Sequence, residues 1–394
     1  MRYQSYFNTA LFIIQQYKGE MPLAHFIKQY FAQHKKHGSK DRKIITNACY
    51  AYFRLGKALS EVAVDIRLKA ALYLLLEEPG VWEIVFEPLW LKDWPAEWQQ
   101  RWYVLQQRFS GLKYEDIFPF KNEVSEQLDI VAFTQSFFTQ PDVFIRIRPG
   151  EKENIVNRFN EAGIPFQQLS HQTIAVKAGT KIDHLFNIDA ALVIQDFSSQ
   201  RIAEFLQLIQ WNNTIPLVWD CCAASGGKSI LAKDIWGNIQ LTVSDVRESI
   251  LHNLSKRFQT ANISNYTAIV ADLSQPLPKS LLQRYFDVVI ADVPCTGSGT
   301  WSRTPEQLFF FSAAQINTYS WLQRAIVQQA IPQIKPDGYF IYITCSVFKQ
   351  ENQEMVAYII NAYGLVLIKE ELLMGYHQKA DTMFAALFQK PKQT

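Results

Sequence analysis

From residue 201 to the C-terminus, short apolar runs alternate with stretches of helical spacing, and no other feature of the chain restricts its fold as strongly. The runs occupy residues 217–219, 239–243, 267–270, 286–291, 339–344, 365–369 and 383–388. Strand–helix alternation of this kind specifies a doubly wound, mostly parallel α/β sheet. Only a short segment separates the last two runs, so the last strand is expected to run antiparallel. Open α/β sheets bind ligands beyond the carboxyl ends of their strands, and the chemistry should be sought there.

The first run leads directly into Asp220-Cys221-Cys222-Ala223-Ala224-Ser225-Gly226-Gly227-Lys228-Ser229. Small side chains let a ligand approach the backbone, and N–H groups at the start of the following helix favour polar contacts. A phosphate-binding loop would need G-x-x-x-x-G-K-[ST]; Gly227-Lys228-Ser229 matches its end, but Cys222 stands in place of its first Gly, and G-x-G-x-x-G is absent as well. A tight turn without a ligand is the plain alternative. Carboxylates close the next three runs: Asp245, Asp272 and Asp292. Singly, each is more often a helix N-cap than a ligand. Together around one Gly-rich turn they fit a nucleoside-type cofactor, because carboxylate oxygens accept both hydroxyls of a ribose. With no pyrophosphate fingerprint, S-adenosylmethionine is preferred to a dinucleotide.

Three domains are expected. Residues 1–125 read as an all-helical domain, with helical spacing from Arg42 and further helices over 68–78 and 94–108. Residues 126–200 read as a small α+β module in which 142–149 alternates like a half-buried strand, 152–162 is helical and 173–176 is a second strand. Residues 201–394 carry the doubly wound sheet. Net charge is only +2, but residues 1–125 hold 17 Lys or Arg against 13 acids, concentrated at 34–43. Such a cluster neutralises nucleic-acid phosphates or is a solvated helix end. The longest apolar runs, such as 70–76, fall well short of the ~20 residues a membrane helix needs, and a soluble, unexported, cytoplasmic protein is expected. The five cysteines have no C-x-x-C spacing, so neither a disulfide framework nor a metal site is expected.

Asp220–Ser229, Ala291-Asp292-Val293-Pro294-Cys295-Thr296-Gly297-Ser298-Gly299 and Tyr342-Ile343-Thr344-Cys345-Ser346 together resemble the RsmB/Nop/Sun family of RNA cytosine-C5 methyltransferases. Arg303-Thr304-Pro305-Glu306, Gln350-Glu351-Asn352 and Val193-Ile194-Gln195-Asp196-Phe197-Ser198-Ser199-Gln200 also fit its pattern, and Asp41–Ile45 with Tyr52-Phe53-Arg54 resembles the NusB-like helical domain of bacterial members. The resemblance implies a class I Rossmann-like methyltransferase domain. It implies that Cys222, Ala223, Ala224, Ser225, Gly226, Gly227 and Lys228 line the cofactor turn, that Asp245 holds the ribose, and that Asp272 lies near the adenine. Lys228 either faces the cofactor or caps local backbone. Asp292 is assigned to the cofactor and, as a hypothesis, also to N3 of the base.

The same resemblance assigns nucleophilic attack to Cys345 and release of the product to Cys295. A thiolate added at carbon 6 of cytosine makes carbon 5 nucleophilic enough to take a methyl group. The base must be unpaired or flipped out. Arg146 and Arg148 on the 142–149 strand are either phosphate contacts or part of an exposed strand face. Ribosomal RNA of the small subunit (16S) is the expected substrate and partner, with transfer RNA as the alternative. An RNA-binding assembly factor with little activity is a further alternative, and a monomer is expected by default. The sequence departs from the family pattern at Ser225, usually Pro; at Thr382 and Met383, usually Gly and Phe; and at Asp189-Ala190-Ala191, where a Gly is expected.

Overall fold

The computed structural model describes residues 2–92, 94–211 and 215–392. Two compact units emerge. The first combines Met1–Asn122, Ile130–Thr139 and Trp301–Ser312; the second combines Glu123–Asp129, Gln140–Thr300 and Ala313–Thr394.

The first unit is helical. Helices Arg2–Gln16, Leu23–Gln33, Ser39–Arg54, Val64–Leu75 and Trp98–Arg108 place Phe7, Ile13, Ile45, Phe53, Leu68 and Leu105 in its interior. Two buried arginines tie its loops together. Arg54 donates to the carbonyls of Phe137 and Ser302, which gathers all three chain segments of the unit. Arg67 donates to Ala58 and Gly56 at 3.1 and 2.8 Å, with its guanidinium over the Tyr52 and Phe309 rings. Such charges are retained inside because every bond satisfies a carbonyl that water cannot reach. The basic 34–43 cluster is split by folding. Lys35, Lys36 and Lys40 are exposed, His37 is buried, and Asp41 pairs with Arg2.

In the second unit, β1 (Val143–Ile147), β2 (Gln167–Gln168), β3 (Thr173–Val176) and β4 (Leu192–Ile194) form an antiparallel sheet in the order β2-β3-β1-β4. Ile145 and Ile147 point to one face, where Ile155 and Phe159 of helix Lys152–Glu161 meet them. The other face is covered too. Arg146 lies there, 4% exposed, and with Arg148 it grips Asp234 of helix Gly227–Trp236 at 2.5 and 2.8 Å. Alternation in β1 therefore marks a strand buried on both sides. Neither arginine is the exposed phosphate contact or open strand face that the sequence allowed.

The second sheet contains β5 (Leu217–Asp220), β6 (Gln240–Asp245), β7 (Tyr266–Val270), β8 (Phe286–Asp292), β9 (Ile334–Thr344), β10 (Val366–Met374) and β11 (Thr382–Gln389) in the order β10-β11-β9-β8-β5-β6-β7. Strands β9, β8, β5, β6 and β7 are mutually parallel, and β11 runs antiparallel to both neighbours. This is the expected Rossmann-like methyltransferase sheet. All seven strands fall on the apolar runs, although β9 begins earlier, across the turn-like Lys335-Pro336-Asp337-Gly338. Between β7 and β8 the helix is a single turn, Lys279–Leu282, because Pro276 and Pro278 occupy the segment before it. Helix Ala314–Ala330 buries Ile316, Ser320, Gln323, Val327 and Ala330 at alternating spacings of four and three. Counting apolar residues alone hid Gln323, which points inward.

Candidate active site

The parallel register brings the ends of five strands side by side. Asp220 pairs with Ile290 and Val243, Asp292 with Ile343, and Asp245 with Val270. Cys345, Asp292 with Cys295, the Cys222–Lys228 turn, Asp245 and Asp272 thus succeed one another along one edge.

The turn after β5 is held by its neighbours. Cys221 N donates to Ile290 O and Ala223 N to Ser244 O, both at 2.9 Å. Ala224 adopts φ +45° and donates its N–H to Asp245 Oδ2 at 3.1 Å. Gly226 has φ +84°, and a Cβ there would press into the Phe258 ring at 2.5 Å, so only glycine suits the position. Gly227 then opens a ten-residue helix. Cys222, Ala224, Ser225 and Gly227 keep accessible surface, whereas Ala223 is buried. Asp220 is fully buried, accepts from Ser229 Oγ at 2.6 Å, and has no partner for Oδ1; burial pushes its carboxyl up to about 7.

Lys228 spans the edge. Its Nζ lies 2.8 Å from Asp292 Oδ2 and 2.8 Å from Ser199 Oγ. The ammonium therefore joins the turn to the end of β8. Asp245 Oδ1 accepts from the backbone N and side-chain Nε of Arg247, which leaves Oδ2 with one further lone pair beside Ala224. Asp272 stands outermost, exposed, with Oδ1 accepting from Ser274 N and Oγ in a local turn.

Past Asp292 the chain reaches Cys295, whose Sγ lies 3.2 Å from Cys345 Sγ. Cys345 N points at the same sulfur, 3.3 Å away. Both side chains are half-buried. The contact with Cys345, and then burial, pushes the Cys295 thiol up.

Glu351 holds the two cysteine turns together. Its Oε1 accepts from Thr296 N and Gln323 Nε2, each at 2.9 Å, and its Oε2 accepts from Thr296 Oγ1 at 2.6 Å and from Ser346 Oγ. Thr296 follows Cys295 and Ser346 follows Cys345, so one fully buried carboxylate bridges the residues next to both sulfurs. Four donors fill the four lone-pair positions of an ionised carboxyl. Burial nevertheless raises its pKa, with the Ser346 and Thr296 hydrogen bonds opposing. Gly299 closes the cleft from below: its N–H donates to Cys345 O at 2.9 Å, and a Cβ there would collide with Thr382 O.

Sequence reasoning placed the edge residues together but gave no role to Glu351, Gln323 or Asp220. Glu351 carried one signal, its place in the Gln350-Glu351-Asn352 resemblance. Nothing in residue type or spacing marked Gln323. The Arg303–Glu306 motif lies in the first unit, where Glu306 Oε1 accepts from Leu23 N at 3.2 Å. Two departures from the family pattern share one partner. Arg257 pairs with Asp189, which sits at φ +70°, at 2.6 and 2.9 Å, and its NH1 also donates to Ser225 O and Oγ. A left-handed residue that lacks glycine's freedom and a turn that lacks proline's stiffness are thus both pinned by the same guanidinium.

The family described as 16S rRNA methyltransferase RsmB/F matches residues 180–388, more than half of the chain. The chain belongs to that family. Its similarity to curated members is partial. It is 30% identical over 172 residues to ribosomal RNA small subunit methyltransferase B of Xanthomonas campestris pv. campestris, covering 41% of this chain and 36% of that protein. It is 25% identical over 190 residues to ribosomal RNA small subunit methyltransferase F of Aliivibrio fischeri, covering 48% and 39%. The chain thus spans little more than a third of the length of these relatives.

Among solved structures, that of PH0851 superposes with TM-score 0.71 at 18% identity, covering 98% of both chains. NSun6 from Pyrococcus horikoshii with SFG gives TM-score 0.59 at 13% identity, covering 71% of this chain and 97% of that one. At these identities the likeness is one of fold. Among the described residues, no helix is long and apolar enough to cross a membrane, and no cluster of three or more His, Cys, Asp or Glu is placed to hold a metal.

Proposed function

We propose that this RsmB/F-family chain transfers a methyl group from S-adenosylmethionine to carbon 5 of a cytosine in RNA. Small-subunit ribosomal RNA is the substrate, and the protein acts as a cytoplasmic monomer. The observation that carries this reading is the pair of sulfurs, Cys295 and Cys345, 3.2 Å apart beside Asp292 at the carboxyl edge of the sheet. The substrate follows from the names of the relatives and from the family description.

The residues present suit the cofactor. Cys222, Ala223, Ala224, Ser225, Gly226, Gly227 and Lys228 form a turn of small side chains whose backbone a ligand can approach. Asp245, with a lone pair left on Oδ2, is assigned to the ribose diol. Asp272, just past the end of β7, is assigned to the adenine. When bound, S-adenosylmethionine supplies an electrophilic methyl on a sulfonium.

Cys345 attacks carbon 6 of the cytosine as a thiolate, forming an S–C bond and leaving carbon 5 enamine-like. After carbon 5 takes the methyl, loss of the carbon-5 proton to a base expels the Cys345 thiolate and restores the ring. The family resemblance assigns attack to Cys345, and Cys295, with its Sγ 3.2 Å from the Cys345 Sγ, stands where it can assist release. Attack at carbon 6 builds electron density at N3, and Asp292, assigned there as well as to the cofactor, would give N3 a proton from its carboxyl and take it back when the thiolate leaves. Glu351 positions both sulfurs through Thr296 and Ser346.

A denaturing gel of protein incubated with ribosomal or transfer RNA and cofactor tests the reading. Cys295→Ala should accumulate a denaturation-resistant adduct that Cys295→Ala/Cys345→Ala cannot form, and mapping the trapped RNA names the target. RNA binding with no adduct from either pool would instead favour an assembly factor.

A further inference from the structure

The first unit carries an open groove of about 830 Å³ along helix Arg2–Gln16 and the end of helix Leu23–Gln33. Phe12, Tyr30, His34, Gln4, Asn8 and Lys36 line it. Its aromatic residues are arranged as a platform. The Tyr30 and His34 rings stack at 4.1 Å between centroids with planes 15° apart, and Phe12 lies 6.0 Å from Tyr30. His34 Nδ1 donates to Tyr30 O at 2.8 Å, which fixes the imidazole against the phenol. Phe12 is 49% exposed although the helix buries Phe7, Ile13 and Ile14 on its other side.

Polar groups border this platform. Gln4 Nε2 donates to Asn8 Oδ1 at 3.1 Å, a bond that does not use the Gln4 carbonyl or the Asn8 amide nitrogen, an acceptor and a donor on exposed side chains. The surroundings are basic. Lys35 and Lys36, next to His34 in sequence, are exposed, Arg2 is paired with Asp41, and none of the six groove residues named above is acidic. Stacked rings attract any flat π-system, paired amides match the edge of a nucleobase, and exposed cations follow a phosphate backbone.

We infer that this groove binds single-stranded RNA, with an unstacked base against the Tyr30–His34 platform and the backbone passing Lys36 and Lys35. The inference rests on the RNA substrate proposed above and adds to it a docking site separate from the one that performs the chemistry. An apolar peptide would use Phe12 but would leave the exposed Gln4 and Asn8 amides and the exposed Lys35 and Lys36 without partners.

The test uses the full chain and a fluorescently labelled single-stranded RNA of mixed sequence, with anisotropy as the readout. Phe12→Ala/His34→Ala should weaken binding by about tenfold or more, since removing a stacking ring costs about 1–3 kcal/mol per base. Lys36→Ala should flatten the slope of log affinity against log salt by about 0.7. An RNA duplex of the same sequence should bind both variants like wild type. Photocrosslinking of wild type to 4-thiouridine RNA should label peptides within residues 2–36, which decides the matter even if the double variant unfolds. Unchanged affinity in a folded double variant, or crosslinks confined to other peptides, overturns the inference. Adduct formation by Cys295→Ala separates the two readings. An adduct without groove-dependent binding sinks only the groove, and groove-dependent binding without an adduct sinks only the methyl transfer.

Discussion

Lys228 and Asp292, 64 positions apart in sequence, form an ion pair at 2.8 Å that joins the turn after β5 to the strand leading to Cys295. Asp292 is the partly exposed member, and its second oxygen is not engaged by Lys228. Asp292→Asn should lower kcat by about 10²-fold or more, the scale of removing one group that stabilises developing charge. Lys228→Met should act mainly on cofactor affinity. Single-turnover methyl transfer and equilibrium dialysis separate the two effects; near-normal turnover in Asp292→Asn would remove that residue from the reaction.

Glu351→Ala should leave Thr296 N, Thr296 Oγ1, Ser346 Oγ and Gln323 Nε2 without their acceptor. Each buried donor left unpaired costs about 1–3 kcal/mol, so a loss of several kcal/mol is expected in denaturant unfolding. Glu351→Gln keeps one acceptor oxygen and most of the volume, and should fold. Its adduct yield with RNA should still fall, because the amide now presents a donor to one of the cysteine turns. A Gln variant with full adduct yield would show that the bridge is structural only.

Asp220 makes stability depend on pH in a defined direction. Burial raises its carboxyl from an ordinary 3.8 to about 7, so between these values the native state binds more protons than the unfolded one and stability falls as pH rises. At about 1.4 kcal/mol per pKa unit the total is a few kcal/mol. Above about pH 7 the loss is complete. Asp220→Asn should flatten this contribution, and its melting temperature should exceed that of wild type at pH 8 by more than at pH 4. Parallel melting curves for the two proteins across that window would contradict the assignment.

Asp234→Ala strands Arg146 and Arg148 in a covered layer. Removing one partner of a buried ion pair costs about 3–5 kcal/mol, and calorimetry should show a loss of that order. At temperatures where the variant is folded, its affinity for RNA should match wild type, since neither guanidinium is open to phosphate. Weakened RNA binding by a folded Asp234→Ala would return the arginines to the surface role.

The central parallel strands β5, β6, β8 and β9 were readable because strands buried on both faces demand continuous apolar runs, and because acids such as Asp245 and Asp292 close β6 and β8. The tight turn from Cys222 to Lys228 was readable from its small residues. Arg146 was not, since alternation along one strand describes its own two faces and is silent about what covers the second. Glu351 was legible only by resemblance, because an isolated acid after a turn has the sequence character of a surface residue. The compensation at Asp189 and Ser225 was invisible. Their shared partner, Arg257, lies 68 and 32 positions away, and nothing local links them.

Trp301–Ser312, placed between β8 and β9, the strands that lead to Cys295 and Cys345, belongs to the helical unit, where Phe309 lies against Arg67 and Ser302 accepts from Arg54. The helical unit is therefore not a cassette that evolution or a cloning strategy can lift away at a linear boundary. A fragment ending near residue 125 would lack part of its own interior, and a fragment beginning there would carry an orphaned hydrophobic loop in its middle. For this chain, gaining or losing the N-terminal third requires rewriting a loop nearly two hundred residues downstream.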